Sequence, residues 1–189
     1  MSILFGIGGI ISESIYVQDW WQPLTITDTL IGIEDFLIGA LIGGIAAVSY
    51  TIVFNKKIKT KSKRKKEELK KNINFIFIAI VTLSFFFGSF YILKLNSFYT
   101  AIIAFITPTF IILHKRKDLI KDSIPSGFLL LIIGRAVYYI LLSIQPEFIS
   151  KFWYLPDEWY AKIFLGVPIG EYIWFFLAGA FIGPLYEYW

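Results

Sequence analysis

Cysteine is absent from this 189-residue sequence, and His114 is its single histidine. Without cysteine the chain has no disulfides, thiolate metal sites, iron–sulfur clusters or cysteine nucleophiles. A Ser-His-Asp triad would depend entirely on His114, and a pair of metal-binding histidines does not exist. Charge is also scarce, because charged residues make up 17% of the chain and hydrophobic residues 57%. Soluble domains carry about 25% charged residues, so this composition predicts an integral membrane protein.

Sequence motifs for the common cofactors are missing as well. Asp118 and Asp122 lie among lysines and lack the spacing of an Asp-x-x-Asp cluster, which argues against magnesium-dependent chemistry on diphosphates. The Gly6-Ile7-Gly8-Gly9 run has no third glycine of a dinucleotide loop and follows no predicted strand. We therefore expect no metal and no cofactor.

Long apolar stretches are abundant and predict membrane helices. A membrane span needs roughly 20 mostly apolar residues. Because apolar and polar residues do not alternate with a period of two, helices are expected rather than a barrel. The sequence predicts an all-α integral membrane bundle of five helices, with a sixth as the alternative. The five predicted spans are residues 29–54, 73–93, 98–114, 124–144 and 163–187.

The N-terminal residues 1–11 are apolar and rich in glycine, and Ser12, Glu13 and Ser14 interrupt them. We expect a short interfacial or re-entrant helix there, or else the sixth span. The chain is expected to form one membrane domain. Its parts are an interfacial segment and outer loop at 1–28, a first motif helix at 29–54, a basic loop at 55–72, three middle helices at 73–145, and an outer loop with a second motif helix at 146–189.

Basic residues set the expected orientation. Fourteen of the 18 Lys and Arg residues lie in two loops, 55–72 and 114–122, which an alternating topology places on one side. The positive-inside rule makes that side cytoplasmic, with the start of the first span outside and Trp189 inside. We expect the cytoplasmic membrane of a prokaryote and contact between the basic loop and anionic lipids. Nucleic acid is not an expected partner, because nothing in this loop indicates a folded binding surface.

A weak internal repeat links the two ends of the chain. Each copy has an aromatic loop ending in proline, at residues 20–23 and 153–156, and then an acidic segment, at 32–37 and 168–173. Pairs of glycines four residues apart follow, and this spacing lets helices approach closely. We expect these stripes to pack the two motif helices against each other or against one neighbour, or to join chains in a homo- or hetero-oligomer. The stripes contain Gly39, Gly43, Gly179 and Gly183.

Four charged side chains fall within the predicted spans and away from their cytoplasmic ends: Glu34, Asp35, Arg135 and Glu171. Such a residue costs roughly 2.5–3.5 kcal/mol on insertion scales, so it indicates function by default. The position of Arg135 in its helix allows it to pair with Glu171 or Asp35. Either this is a structural ion pair, or the cation sets the protonation state of one carboxyl while another stays protonated.

The beginning of the second motif helix resembles the lycopene cyclase domain, a family of small membrane-integral carotenoid cyclases. The family pattern is Pro-hydrophobic-Glu-Glu after a loop with Trp, Tyr and Pro. This chain has Pro168-Ile169-Gly170-Glu171 in one copy and Gly32-Ile33-Glu34-Asp35 in the other. Gly170 replaces the first Glu of one copy, whereas in the other copy Gly32 replaces Pro and Asp35 replaces the second Glu.

The resemblance implies proton chemistry without redox change on an apolar polyene or isoprenoid lipid such as lycopene. A glutamic acid protonates a terminal double bond, the cation closes a six-membered ring, and a carboxylate removes a proton. Under this hypothesis Glu171 has the acid–base role, and Glu34 or Asp35 supplies the other carboxyl. Candidate substrate contacts include four aromatic residues, because aromatic faces stabilise cations, together with Arg135 and Pro168. The aromatic residues are Tyr172, Trp174, Phe175 and Phe36.

Three alternatives remain open at the level of the sequence. Water that reached the cation would give a tertiary alcohol, so a hydratase is a close chemical neighbour of a cyclase. The departures from the motif favour a non-catalytic membrane subunit or scaffold with the same fold. Two acid-bearing helices with glycine stripes and Arg135 would also suit a small proton-coupled transporter.

Overall fold

The computed structural model describes residues 1–22, 24–53 and 65–188, with side chains outside 49–53 and 65–71. Most of the predicted basic loop 55–72, and Trp189, lie outside these residues. The described chain is largely helical. Its helices are α1 (Ser2–Asp19), α2 (Ile33–Val53), α3 (Lys65–Phe87, continued by a π-helical turn at Gly88–Ile92), α4 (Ser97–Lys115), α5 (Ile120–Ile144), α6 (Phe148–Phe152) and α7 (Ile169–Tyr188).

Four helical segments of the described chain are long and apolar enough to cross a membrane. Their mean hydropathy is between 1.3 and 2.3, and each is at least 19 residues long. The predicted all-α architecture of apolar helices is thereby confirmed. The segments are Asn72–Ile92, Ser97–Lys115, Lys117–Ile144 and Ile169–Tyr188.

The N-terminal helix is longer than the short helix expected over residues 1–11. Helix α1 has 18 residues and continues past Ser12, Glu13 and Ser14. The Ser12 and Ser14 hydroxyls donate to carbonyl oxygens three residues earlier, at 3.0 and 2.7 Å, so these polar groups are satisfied within the helix. The residues that interrupt the apolar stretch therefore do not end the helix.

Helix α7 lies at the centre of the bundle. It packs against α5 most extensively, and also against α4 and α2. Apolar burial explains this position, because one side of α7 contributes Ala178, Phe181, Ile182 and Leu185 to the main core. The other helices contribute buried residues to the same core, which is the main source of stability in such an arrangement.

The predicted glycine stripes pack against two different helices. Gly39 of α2 lies against the backbone of Phe5, so this stripe is covered by α1, which runs antiparallel to α2. Gly179 of α7 lies against the backbone of Ser126, so that stripe is covered by α5. The stripes therefore do not join α2 to α7 or to one shared neighbour. Their use between separate chains stays a prediction.

The two aromatic loops of the predicted repeat lie side by side at one end of the bundle. Trp21 and Trp153 form an antiparallel bridge, and the Tyr154 amide donates to the carbonyl of Trp20 at 2.9 Å. These backbone contacts tie the segment after α1 to the segment after α6. They also bring two tryptophan side chains toward the start of α7.

A short antiparallel hairpin leads into α7. Strand β1 (Ile163–Phe164) pairs with strand β2 (Val167–Pro168). The two turn residues between them, Leu165 and Gly166, have φ of +49° and +82°. Positive φ at both positions is what a tight hairpin turn requires. The hairpin therefore fixes where α7 begins and places Glu171 in its first turn.

Candidate active site

Glu171 is buried beneath the aromatic loops and accepts three side-chain hydrogen bonds. Its Oε1 accepts from the indole Nε1 of Trp20 at 2.5 Å and from that of Trp153 at 3.0 Å. Its Oε2 accepts from the Tyr138 hydroxyl at 2.8 Å. Three segments of the chain therefore hold this carboxyl in one position. An arrangement of three donors stabilises the ionised form of a carboxyl group.

A cavity of about 140 Å³ lies beside Glu171. Three carboxyl side chains line it, and they come from α1, α2 and α7. The rest of its wall is mainly aromatic and apolar, and the described residues that line it include no lysine, arginine or histidine. The acids are Glu13, Asp35 and Glu171, and the aromatic residues are Tyr16, Trp20, Trp21, Tyr138, Trp153, Trp174 and Phe175.

Asp35 lies in the first turn of α2, where it caps the helix. Its Oδ2 accepts the backbone N–H of Gly32 at 2.7 Å. This contact satisfies an amide that has no partner within the helix, as the third residue of a capping box does. Asp35 thus combines a structural contact with a place in the cavity wall.

Glu34 points to a different part of the molecule. Its Oε1 accepts the backbone N–H of Ile26 at 2.6 Å, so it contacts the loop before α2. Glu34 is not among the residues that line the cavity. Of the three predicted catalytic residues, the structure therefore brings together Asp35 and Glu171 but not Glu34.

Glu13 was not predicted from the sequence to be a site residue. This residue is buried in α1, and its Oε2 accepts the indole N–H of Trp21 at 3.2 Å. Gly6, Gly9, Glu13 and Tyr16 are spaced three or four residues apart and so share one face of a helix. The sequence contains this spacing, but the helix was expected to end near Ser12, so Glu13 and Tyr16 were not assigned to its face.

Arg135 pairs with neither predicted acid. The described ion pairs do not include it, and its Nη1 is buried without a hydrogen-bond partner. The expectation that Arg135 pairs with Glu171 or Asp35 was wrong. The physical reason is that the indole and phenol donors already occupy Glu171, while Asp35 caps its own helix.

The other predicted substrate contacts are divided among four places. Trp174 and Phe175 line the cavity. Tyr172 is half-buried and donates to the carbonyl of Phe164 at 2.9 Å. The Phe36 ring covers Gly6 of α1. Pro168 lines a separate small pocket on the loop side.

Supporting aromatic residues lie behind the cavity wall. Trp20 stacks with Tyr160, which in turn stacks on Phe98 with ring centroids 4.3 Å apart. Burial raises the pKa of the Tyr160 hydroxyl, which accepts a hydrogen bond from Asn96 Nδ2 at 2.8 Å. This stack fixes the indole of Trp20, and so the direction of its hydrogen bond to Glu171.

A second cavity of about 140 Å³ adjoins the first and is almost wholly apolar. Both cavities are lined by Gly9, Ser12, Tyr16, Gly39, Ile42 and Trp174. From this shared wall the second cavity extends between α1, α3, α4 and α7. The carboxyls thus lie at one end of a longer apolar space. Proton donors and acceptors beside aromatic faces equip that end for acid–base chemistry on an apolar group.

Comparison with known proteins identifies the family. The family model described as lycopene cyclase matches residues 96–189, a range that contains Tyr138, Trp153 and Glu171. Neither the curated proteins nor the solved structures provide a match. Residues 96–189, which contain α4 to α7, are therefore assigned to the lycopene cyclase family.

Proposed function

We propose that this chain is a membrane-embedded, cyclase-like enzyme that transfers protons to and from the end of an apolar polyene such as lycopene. One observation carries the proposal: buried carboxyls from three helices meet at a cavity whose wall is otherwise mainly aromatic and apolar. Membership of the lycopene cyclase family supports the choice of substrate class. No redox step and no cofactor are required.

The proposed reaction is a balanced isomerisation. A carboxylic acid gives its proton to a terminal carbon–carbon double bond, and a tertiary carbocation forms. The neighbouring double bond supplies the electron pair that closes a six-membered ring. A carboxylate then removes a proton from the carbon beside the new cation, and the electrons of that C–H bond form the product double bond.

Glu171 is best suited to the second proton transfer. Trp20, Tyr138 and Trp153 all donate to it, and donors of this kind favour a carboxylate over a carboxylic acid. As an anion beside the cavity it would also stabilise the positive charge of the intermediate. The faces of Trp174 and Phe175 would do the same through their π electrons. This assigns Glu171 the base part of its predicted acid–base role.

We also infer that the helix pairs α1–α2 and α5–α7 are copies of an internal repeat. Corresponding contacts are offset by 121 residues in the first helix and by 140 residues in the second. The corresponding contacts join Gly39 to Phe5, Gly43 to Phe5 and Gly6 to Phe36 in one helix pair, and Gly179 to Ser126, Gly183 to Ser126 and Gly127 to Phe176 in the other. The proposed site lies between these two helix pairs.

Product formation in cells that make lycopene tests the function. The unchanged chain is co-expressed with lycopene-forming enzymes, and extracted pigments are separated by chromatography. We expect a cyclic product from the unchanged chain and a loss of about 100-fold or more in Glu171→Gln, which keeps the shape but removes the carboxylate. Glu187→Gln, a change near Arg116 at the opposite end of α7, should leave the yield unchanged.

Each of the other outcomes would indicate a different function or mechanism. A tertiary alcohol in place of a ring would indicate a hydratase. Absence of any product, with the chain present in the membrane, would contradict the enzyme proposal and favour a non-catalytic subunit. Equal yields from the unchanged chain and from Glu171→Gln would remove Glu171 from the mechanism.

A further inference from the structure

We infer that Glu13 of α1, which lies outside the family match, is the acid that protonates the polyene. This inference rests on the proposed function and deepens it, because it assigns the proton donor that the reaction needs. Glu13 and Glu171 would then divide the chemistry between them. Glu13 would give the first proton, and Glu171 would take the second.

The surroundings of Glu13 favour a neutral carboxylic acid. Glu13 is 3% exposed, its Oε1 is buried without a hydrogen-bond partner, and its Oε2 accepts only the indole N–H of Trp21. The cavity wall beside it contains no cationic side chain and two further acids, Asp35 and Glu171. A buried carboxylate with so few donors and acidic neighbours is costly, whereas the protonated group is not.

The two other acids of the cavity have opposite surroundings. Glu171 receives three donors, and it lies in the first turn of α7. Asp35 receives the Gly32 amide and lies in the first turn of α2. The positive end of a helix dipole and nearby N–H groups both stabilise an anion. Glu13 lies inside α1, away from its N-terminus, and it receives a single N–H donor, from Trp21.

The position of Glu13 also fits a proton donor. Its helical neighbours Gly9, Ser12 and Tyr16 line both cavities, so Glu13 lies where the carboxyl-lined space meets the apolar space. A polyene held in the apolar cavity would therefore present its end to Glu13.

The proton balance of the cycle closes within the site. The O–H bond of Glu13 breaks as the C–H bond forms on the polyene, which leaves Glu13 as a carboxylate. Glu171 becomes protonated when it removes the proton from the cyclic cation. Transfer of that proton from Glu171 to Glu13 across the shared cavity restores both groups before the next substrate.

The first test measures product in Glu13→Gln and Glu13→Asp. Gln keeps the size and the acceptor for Trp21 but has no acidic proton, so the yield should fall about 100-fold or more. Asp keeps the acidic proton and should retain part of the activity. Glu147→Gln, on the exposed surface beside Lys151, is the matched control and should keep the full yield.

The second test measures protonation directly. Infrared spectra of the purified chain in lipid nanodiscs should contain the carbonyl band of a buried carboxylic acid, which disappears in Glu13→Gln and remains in Glu171→Gln. An ionised Glu13 would not produce this pattern.

The outcomes separate the two proposals. If the unchanged chain makes product and Glu13→Gln makes as much, or the band persists in that variant, the inference fails and the proposed function stands. Absence of product from the unchanged chain overturns both.

Discussion

The donors around Glu171 show how single side chains prepare a carboxyl for chemistry inside an apolar bundle. Tyr138 of α5 approaches one oxygen, while Trp20 and Trp153 share the other. Trp153 also packs against Tyr138, with ring centroids 6.0 Å apart. These rings therefore position the carboxyl and exclude water from it at the same time.

Removal of the Tyr138 hydroxyl tests this arrangement. Tyr138→Phe keeps the ring but leaves Glu171 with one donor fewer. We expect a loss of about 1–3 kcal/mol in the free energy of unfolding, because a buried charged group loses a hydrogen bond. Product yield should fall as well.

The neighbouring residue offers a matched control. Tyr139 is 68% exposed on the same helix, and Tyr139→Phe should change stability by no more than about 0.5 kcal/mol. Thermal unfolding in detergent and pigment extraction measure the two effects. Equal stability of the two variants would mean that the Tyr138 hydrogen bond contributes nothing.

At this scale the sequence predicted part of the candidate site. Glu171 and Asp35 were found because an acid within an apolar helix is rare, and Trp174 because an aromatic face near the acids would stabilise a cation. Tyr138 is 33 residues from its partner, so no local pattern connects the two. The pairing of Arg135 was predicted wrongly, because opposite charge alone does not show which hydrogen-bond donors contact an acid.

Among the helices, close packing at glycine determines which pairs form. A Cβ added at Gly179 would lie 2.5 Å from the backbone oxygen of Ser126. At Gly39 the equivalent group would meet the backbone of Phe5. Backbone atoms cannot rotate away as a side chain does, so both helix pairs depend on the missing side chain.

Alanine at either glycine should therefore separate its helix pair. We expect Gly179→Ala and Gly39→Ala each to destabilise the chain by about 1–3 kcal/mol, as overpacking does elsewhere. Similar losses in the free energy of unfolding for the two helix pairs would also agree with an internal repeat. Thermal unfolding of the purified variants provides the measurement.

Gly8→Ala is the control for these variants. Gly8 lies in α1, and an added Cβ there meets nothing within 4 Å. Alanine is also favoured over glycine within a helix by about 1 kcal/mol. This variant should be as stable as the unchanged chain or slightly more so. A large loss in Gly8→Ala would show that glycine is needed for another reason.

The helices also show what sequence patterns reveal and what they miss. Apolar runs located α4 and α5 well, because composition over about 20 residues averages out local exceptions. The last span was predicted to begin at residue 163, but residues 163–168 form the β1–β2 hairpin and α7 begins at Ile169. The full length of α1 was not predicted, since the hydroxyls of its serines donate to carbonyl oxygens of the same helix and so do not end it. The partners of the glycine stripes could not be predicted, because the same spacing suits any close neighbour.

For the whole molecule, the long helices run alternately up and down, which separates two ends of different character. The aromatic loops, the hairpin and the proposed site lie at one end, with residues 20–32 and 145–168. The link between α4 and α5 lies at the other end, where Arg116 forms an ion pair with Asp118 at 2.7 Å. We propose that this basic end is cytoplasmic, as the positive-inside rule predicts.

Single cysteines test this orientation without background, because the chain contains none of its own. Asp157→Cys places a thiol in the aromatic loops, and Lys117→Cys places one in the basic link; both positions are exposed. In intact cells a membrane-impermeant maleimide should label Asp157→Cys and leave Lys117→Cys unlabelled until the membrane is opened. Proton exchange between the proposed site and solvent would then occur from the outer side, since the carboxyls lie beneath the aromatic loops. Labelling of Lys117→Cys alone in intact cells would invert the orientation and place the site near the cytoplasmic face, and labelling of both would contradict an alternating bundle.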